Sequence, residues 1–215
     1  MKLVIGNKNY STWSLRPWLL MTHFNVNFTE LMESLAPEKL SERLAQYSDS
    51  KKVPVLINKE LNVWDSLAIC EYVNEQCLAG RGWPKDPAQR AIARSVSAQM
   101  HSGFGAIRNE MPMNIRAKRR IELSEDAKNE INQMQLLWHR LLQNSSGPWL
   151  FGEFSIADCM YIPVILRFET YGISLLPSTK QYRDAVFANE AVKQWIDAAL
   201  QETEVVAVDE AGEER

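Results

Sequence analysis

Hydrophobic and polar positions follow two different rhythms along the 215-residue chain, one before residue 80 and another after it. Lys2–Ile5 is a short β-prone run, and Trp13–Phe24 carries apolar residues at helical spacing behind Ser and Thr start signals. Val26–Leu31 predicts a second strand and Pro37–Tyr47 a short helix. Val53–Ile57 and Leu61–Trp64 are β-prone and separated only by Asn58-Lys59-Glu60, which predicts a hairpin. Ser66–Cys77 predicts a helix that buries Ile69, Cys70, Val73 and Cys77. The order β-α-β-α-β-β-α predicts a mixed sheet with helices on its faces.

Between 80 and 87 the rhythm breaks, because Gly80, Gly82, Pro84 and Pro87 gather there in linker chemistry. Almost no strand signal follows. Ala88–Asn109 predicts one long helix with Ile92, Val96, Met100 and Ile107 along a face, and Asp126–Gln143, Ile156–Tyr171 and Asn189–Glu202 predict three more. Residues 203–215 are acidic and lack an apolar period, which predicts a solvated, mobile tail. The expected class is α/β plus all-α: one domain over 1–79, a linker over 80–87, a helical domain over 88–202, then the tail.

Composition bears on function more than on fold. A net charge of −3 leaves no basic excess to hold a phosphate backbone, so nucleic acid is not an expected partner. No apolar run approaches the ~20 residues that cross a bilayer, and Met1–Ile5 turns polar at Gly6, so neither a membrane span nor a signal peptide is expected. Cys70, Cys77 and Cys159 are odd in number and contain no CxxC pair. That argues against a disulfide framework and against a cysteine metal site, and it suits a reducing cytoplasm.

Three local features carry chemistry. In Lys52-Val53-Pro54, the proline belongs at a strand start and pushes Val53 into an extended conformation, freeing the Val53 backbone to pair with something else. Asp65-Ser66 stands where a strand gives way to a helix, so its oxygens can cap the helix beside N–H groups that attract an anion. Tyr10, Ser11, Thr12 and Ser14 cluster at the start of the first helix, with Pro17 tolerated in its first turn. Hydroxyl donors and helix amides there can stabilise an anion such as a thiolate. Each feature alone also fits a plain turn or cap. A fourth, Ser155 with Asp158, has capping-box spacing, with Phe154 and Cys159 as its hydrophobic staple, and is structural.

Together, in this order, Val53-Pro54, Asp65-Ser66 and the G-x-x-S-I-A-D run from Gly152 to Asp158 resemble the glutathione transferase superfamily over essentially the whole chain to about residue 200. Ser11-Thr12-Trp13-Ser14-Leu15-Arg16 resembles the Ser-x-x-Ser-x-Arg pattern of its serine-type, zeta-like members. The resemblance implies a thioredoxin-like domain followed by a helical bundle, with glutathione as co-substrate and no metal. It implies that Ser11 is catalytic, with Tyr10 as rival, and that Ser11, Thr12, Ser14, Lys52 (or Lys51), Val53, a cis Pro54, Asp65 and Ser66 bind glutathione. It places a small electrophile against Trp13, His101, Phe104, Arg108, Met111 and Met113, of which Arg108 suits an acidic substrate. Trp13 stands where zeta-like isomerases carry cysteine. The implied molecule is a cytoplasmic homodimer that activates glutathione for conjugation or isomerisation. A non-catalytic protein-interaction module or ligand carrier on the same fold is the rival reading.

Overall fold

β1 (Lys2–Ile5) pairs in parallel with β2 (Thr29–Met32) and antiparallel with β3 (Val55–Asn58) in the computed structural model, which describes residues 1–215. β4 (Leu61–Trp64) completes the predicted hairpin with β3, giving the sheet order β2-β1-β3-β4. Leu3, Val4 and Ile5 are all fully buried, as a strand covered on both faces requires. Around the sheet lie α1 (Thr12–His23), α2 (Leu40–Ala45) and α3 (Ser66–Cys77). This is the thioredoxin-like arrangement expected of the first eighty residues.

Between 80 and 87 the chain is pinned rather than loose. The Gly82 N–H donates to Asn74 Oδ1 at 2.8 Å, and a Cβ at Gly82 would fall 2.8 Å from that same oxygen. Buried Trp83 donates through Nε1 to Glu71, and Asp86 caps α4 (Pro87–Ser102) by accepting from Gln89 N. After α4 come α5 (Gly105–Glu110), α6 (Glu125–Gln143), α7 (Ile156–Tyr171), α8 (Pro177–Ala188) and α9 (Glu190–Gln201). α7 is apolar all round and buried nearly throughout, so it forms the axis of the bundle. Its start is the predicted capping box: Asp158 Oδ2 accepts from Ser155 N at 2.9 Å and from Ser155 Oγ at 3.0 Å, and Oδ1 accepts from Leu150 N. Burial pushes the Asp158 carboxyl up to about 6 against those donors. α1 packs on α3, α7 and α9, so one apolar cluster running from Leu3 to Trp195 joins both domains.

Several expectations need correction. The helix expected over Ala88–Asn109 breaks, because Gly103 ends α4 and Phe104 takes a left-handed φ of 55° before α5 begins. Ile92, expected inside, is half exposed, and Cys77 is exposed at the end of α3. α8 was not expected at all: only Thr179, Tyr182 and Val186 are buried, too sparse a stripe to stand out in the sequence.

The tail is also different. It lies docked across the joint between the domains. Glu202 accepts from Lys8 N at 2.7 Å and Asn9 N at 2.9 Å, and Glu204 accepts from Asn7 Nδ2 at 2.7 Å. Arg116 donates to the carbonyls of Glu202 and Glu204. A short ladder pairs β5 (Arg119–Arg120) with β6 (Glu213–Glu214). Acidic residues that look solvated in isolation find partners in the fold: Glu210 pairs with Arg119, and Glu202 and Glu204 accept N–H groups of residues 7–9.

Candidate functional site

The start of α1 is built by its own hydroxyls. Ser11 caps the helix, its Oγ accepting from Ser14 N at 3.4 Å and donating to Ser14 Oγ at 2.7 Å. Ser14 Oγ accepts in turn from Gly6 N at 3.1 Å, which ties the helix start to the end of β1. Ser14 is fully buried beneath Ser11 and holds it, whereas Ser11 and Thr12 reach a cavity wall. The Tyr10 hydroxyl is already committed: it donates to Glu210 at 2.6 Å and accepts from Arg116 at 2.9 Å. Burial and the Glu210 carboxylate both raise the Tyr10 pKa.

Across the cleft the Val53–Pro54 peptide is cis, and neither the N–H nor the carbonyl of Val53 makes a hydrogen bond within the protein. An unpaired backbone donor and acceptor at a cavity wall suit a peptide ligand. Beside it, Asp65 caps α3, with Oδ1 accepting from Leu67 N at 2.9 Å and Ala68 N at 3.2 Å. Its φ of 78° is strained for a non-glycine residue, a conformation costing about 1–3 kcal/mol, and it aims the carboxylate outward. Asp65 Oδ2 meets His101 Nε2 at 2.9 Å, a contact between the two domains.

Ser66 Oγ accepts from Arg16 Nη1 at 3.4 Å. The Arg16 guanidinium is almost wholly buried, lacks any carboxylate partner within ion-pair distance, and leaves its Nε unbonded. Burial lowers its pKa to about 9, with the Arg167 charge acting in the same direction, so it remains a cation at neutral pH. Its Cζ lies 4.1 Å from the centroid of the Trp13 ring, and the Arg108 Cζ lies 5.7 Å from that ring. His101 meets the same indole edge-on at 5.3 Å.

Trp13 therefore forms a partition. On one side is a cavity of about 410 Å³ lined by Val53, Pro54, Asp65, Ser66 and His101; on the other is one of about 470 Å³ lined by Ser11, Thr12, Lys51, Arg108 and Arg167. Trp13, Lys52 and Val53 line both. The two spaces thus adjoin, the first peptide-like in its contacts and the second cationic.

Most of the expected site residues converge here. Four do not sit where expected. Ser14, expected to bind glutathione, is fully buried beneath Ser11 and lines neither cavity. Phe104 and Met111 are in the core, Met111 without any exposure, and line neither cavity. His101, expected in the electrophile pocket, lines the Asp65-side cavity and not the one that holds Arg108. Met113 and Arg108 do face the cationic cavity. Three other residues escape a sequence-only search. Arg16 belongs to the helix-start motif but carries no local sign of its burial. Arg167, buried and bonded only through Nη1 to the carbonyls of Arg108 and Met111, hides in an apolar helix. Asp209 lies in the tail.

Comparisons with known proteins bear on the family and the fold. Residues 10–76 match the family model for the glutathione S-transferase N-terminal domain. A probable glutathione S-transferase of Nicotiana tabacum is 32% identical over 176 residues, covering 77% of this chain and 75% of the relative. Maleylacetoacetate isomerase of Rattus norvegicus is 27% identical over 159 residues, covering 72% of each. Among solved structures, a bacterial zeta-class maleyl pyruvate isomerase superposes with a TM-score of 0.74 at 19% identity, covering 95% of this chain and all of that one.

Proposed function

Since this chain belongs to the glutathione S-transferase family, we propose that it binds glutathione and activates its thiolate for attack on a small electrophile, by conjugation or by glutathione-dependent isomerisation. One observation carries the proposal: Ser11, with its hydroxyl at a helix N-terminus, lies on a cavity that adjoins a second one lined by unbonded Val53, Asp65 and Ser66.

In this reading the Val53 backbone pairs with the cysteinyl part of glutathione, and Asp65 and Ser66 hold its γ-glutamyl end. Lys52, and Lys51 beside it, meet the glycyl carboxylate. Arg16 backs Ser66 with a positive charge. Ser11 turns its hydroxyl proton from Ser14 Oγ to the sulfur, with Ser14 Oγ donating to Ser11 in exchange, so the thiol proton leaves to solvent and the thiolate remains. A free thiol has a pKa of ~8.5, and each unit of lowering is worth about 1.4 kcal/mol. The thiolate then forms a C–S bond to a carbon of an activated C=C, whose π pair moves onto the conjugated carbonyl oxygen; conjugation keeps the C–S bond and takes a proton from solvent, and isomerisation rotates the single bond, re-forms the C=C and expels the thiolate. Arg108 and Arg167 favour an electrophile that bears a carboxylate.

A homodimer and a cytoplasmic setting complete the proposal. Exposed Leu61 and Trp64 on β4 and Ile92 on α4 supply apolar surface for a partner subunit. No helix is long and apolar enough to cross a membrane. The test is an ultraviolet titration of the glutathione thiolate in the presence of the protein. A bound thiol with a pKa well below the free value supports the proposal, and the absence of glutathione binding sinks it.

A further inference from the structure

Four carboxylates between Glu202 and Glu210 are used by the fold in different ways. Glu202 takes two backbone N–H groups, Glu204 takes Asn7 and Ser34, and Glu210 takes Tyr10, Asn114 and Arg119. Asp209 takes none. No group in the protein donates a hydrogen bond to its carboxylate, and its side chain lines the cationic cavity together with Arg108, Arg167, Lys51 and Lys52.

We propose that Asp209 is the resident counter-ion of the electrophile cavity and sets its charge selectivity, because an electrophile bearing a carboxylate must be admitted in competition with it. Resting on the glutathione site proposed above, this assigns a specificity-determining role to a residue of the tail.

The geometry on both sides of Asp209 supports it. The preceding turn is anchored by buried Val206, whose carbonyl accepts from Asp209 N at 2.9 Å. The following residue, Glu210, is held at Tyr10, next to Ser11. Beyond it, β6 is paired to β5. Asp209 is thus clamped in the cavity wall rather than carried on a free end. Arg167 makes both its hydrogen bonds through Nη1, so its other N–H groups have no protein acceptor and its charge is uncompensated at contact distance. Burial raises the Asp209 carboxyl and the Arg167 charge opposes that rise, as a loosely matched pair in a half-buried wall requires. Loose matching is what leaves selectivity adjustable. A tight ion pair would have closed the cavity to anions, and a cavity without Asp209 would accept any acid.

The test is calorimetric titration of S-benzylglutathione and S-(4-carboxybenzyl)glutathione into the full chain and into its Asp209→Asn and Asp209→Glu variants. Removing one charge from a partly buried wall predicts that Asp209→Asn binds the carboxybenzyl ligand about tenfold tighter than the parent does, while the benzyl ligand changes little. Asp209→Glu should keep the parent's preference. Equal changes for both ligands, as a loosened tail would produce, overturn the inference, and so does an unchanged ratio in Asp209→Asn. If S-benzylglutathione binds none of the three proteins, the glutathione reading itself fails and the inference falls with it.

Discussion

Replacing Ser11 by alanine separates the chemistry of the site from its architecture. The cap hydrogen bond from Ser14 N is long, at 3.4 Å, so losing it costs at most about 0.5–1 kcal/mol of stability. Ser14 keeps its bond from Gly6 N, so the join between β1 and α1 survives. The chemical loss is larger. A hydrogen bond to a charged group contributes roughly 1.5–3 kcal/mol, which corresponds to a thiol pKa lowered by about 1–2 units in the parent protein. The variant should return the bound thiol toward ~8.5 and reduce the reactive fraction at neutral pH by roughly tenfold. Thiolate absorbance, followed across pH at saturating glutathione, reads the shift directly, and calorimetry shows whether affinity is retained. Tyr10→Phe is the matched control, because the Tyr10 hydroxyl is occupied by Glu210 and Arg116 and should leave the thiol unmoved. A thiol pKa unaffected by Ser11→Ala but raised by Tyr10→Phe would transfer the role to Tyr10 and refute the assignment.

Asp65→Asn keeps an oxygen to cap α3 but removes the charge that faces the cavity, so glutathione should bind about tenfold more weakly with little change in melting temperature. Arg16→Lys retains a buried cation but loses the planar stacking on Trp13 and the bond to Ser66. It should weaken glutathione binding severalfold by calorimetry and leave the bound-thiol pKa where it is. Asp158 has a folded pKa of about 6 against 3.8 in an open chain, so between those values the native state holds the extra proton and wild-type stability falls as pH rises. Asparagine lacks that pH-dependent burden. Urea unfolding should therefore show Asp158→Asn to be less damaging at pH 7 than at pH 4, by up to about 3 kcal/mol, and a constant gap would mean that the buried carboxylate ionises without penalty.

Much of the fold was legible because periodicity and caps agree at most element boundaries. Ser66–Cys77 and Ile156–Tyr171 match the predicted spans, each opened by a side-chain cap visible in the sequence. The failures have physical causes of their own. A continuous helical stripe ran through Gly103-Phe104, and nothing local signals that Phe104 takes a left-handed backbone. Cys77 falls on the apolar period of α3 but lies past the end of the surface that α3 buries. The tail has no pattern because its order comes from hydrogen bonds to residues 7–9 and Arg116, from one ion pair to Arg119 and from a two-residue ladder, all long-range.

At the site, the polar contacts were legible and their partition was not. Ser11, Val53, Pro54, Asp65 and Ser66 stand where motif chemistry puts them, since caps and strand starts are local events. The wall of the cationic cavity is made by side chains that meet only when both domains are packed, and helical spacing cannot say which side of Trp13 a residue faces. His101, one turn from the break at Phe104, falls to the Asp65 side, while Arg108, beyond the break, donates to the His101 carbonyl at 3.0 Å and falls to the other. The same interruption that spoiled the helix prediction therefore sorts the two residues between the cavities. A helix continuous from 88 to 109 would place His101 and Arg108 two turns apart on one face, as the i, i+7 rule has it. The left-handed step at Phe104 interrupts the helix between them, and the indole of Trp13 meets both sides of that break, His101 edge-on at 5.3 Å and the Arg108 guanidinium at 5.7 Å from its ring.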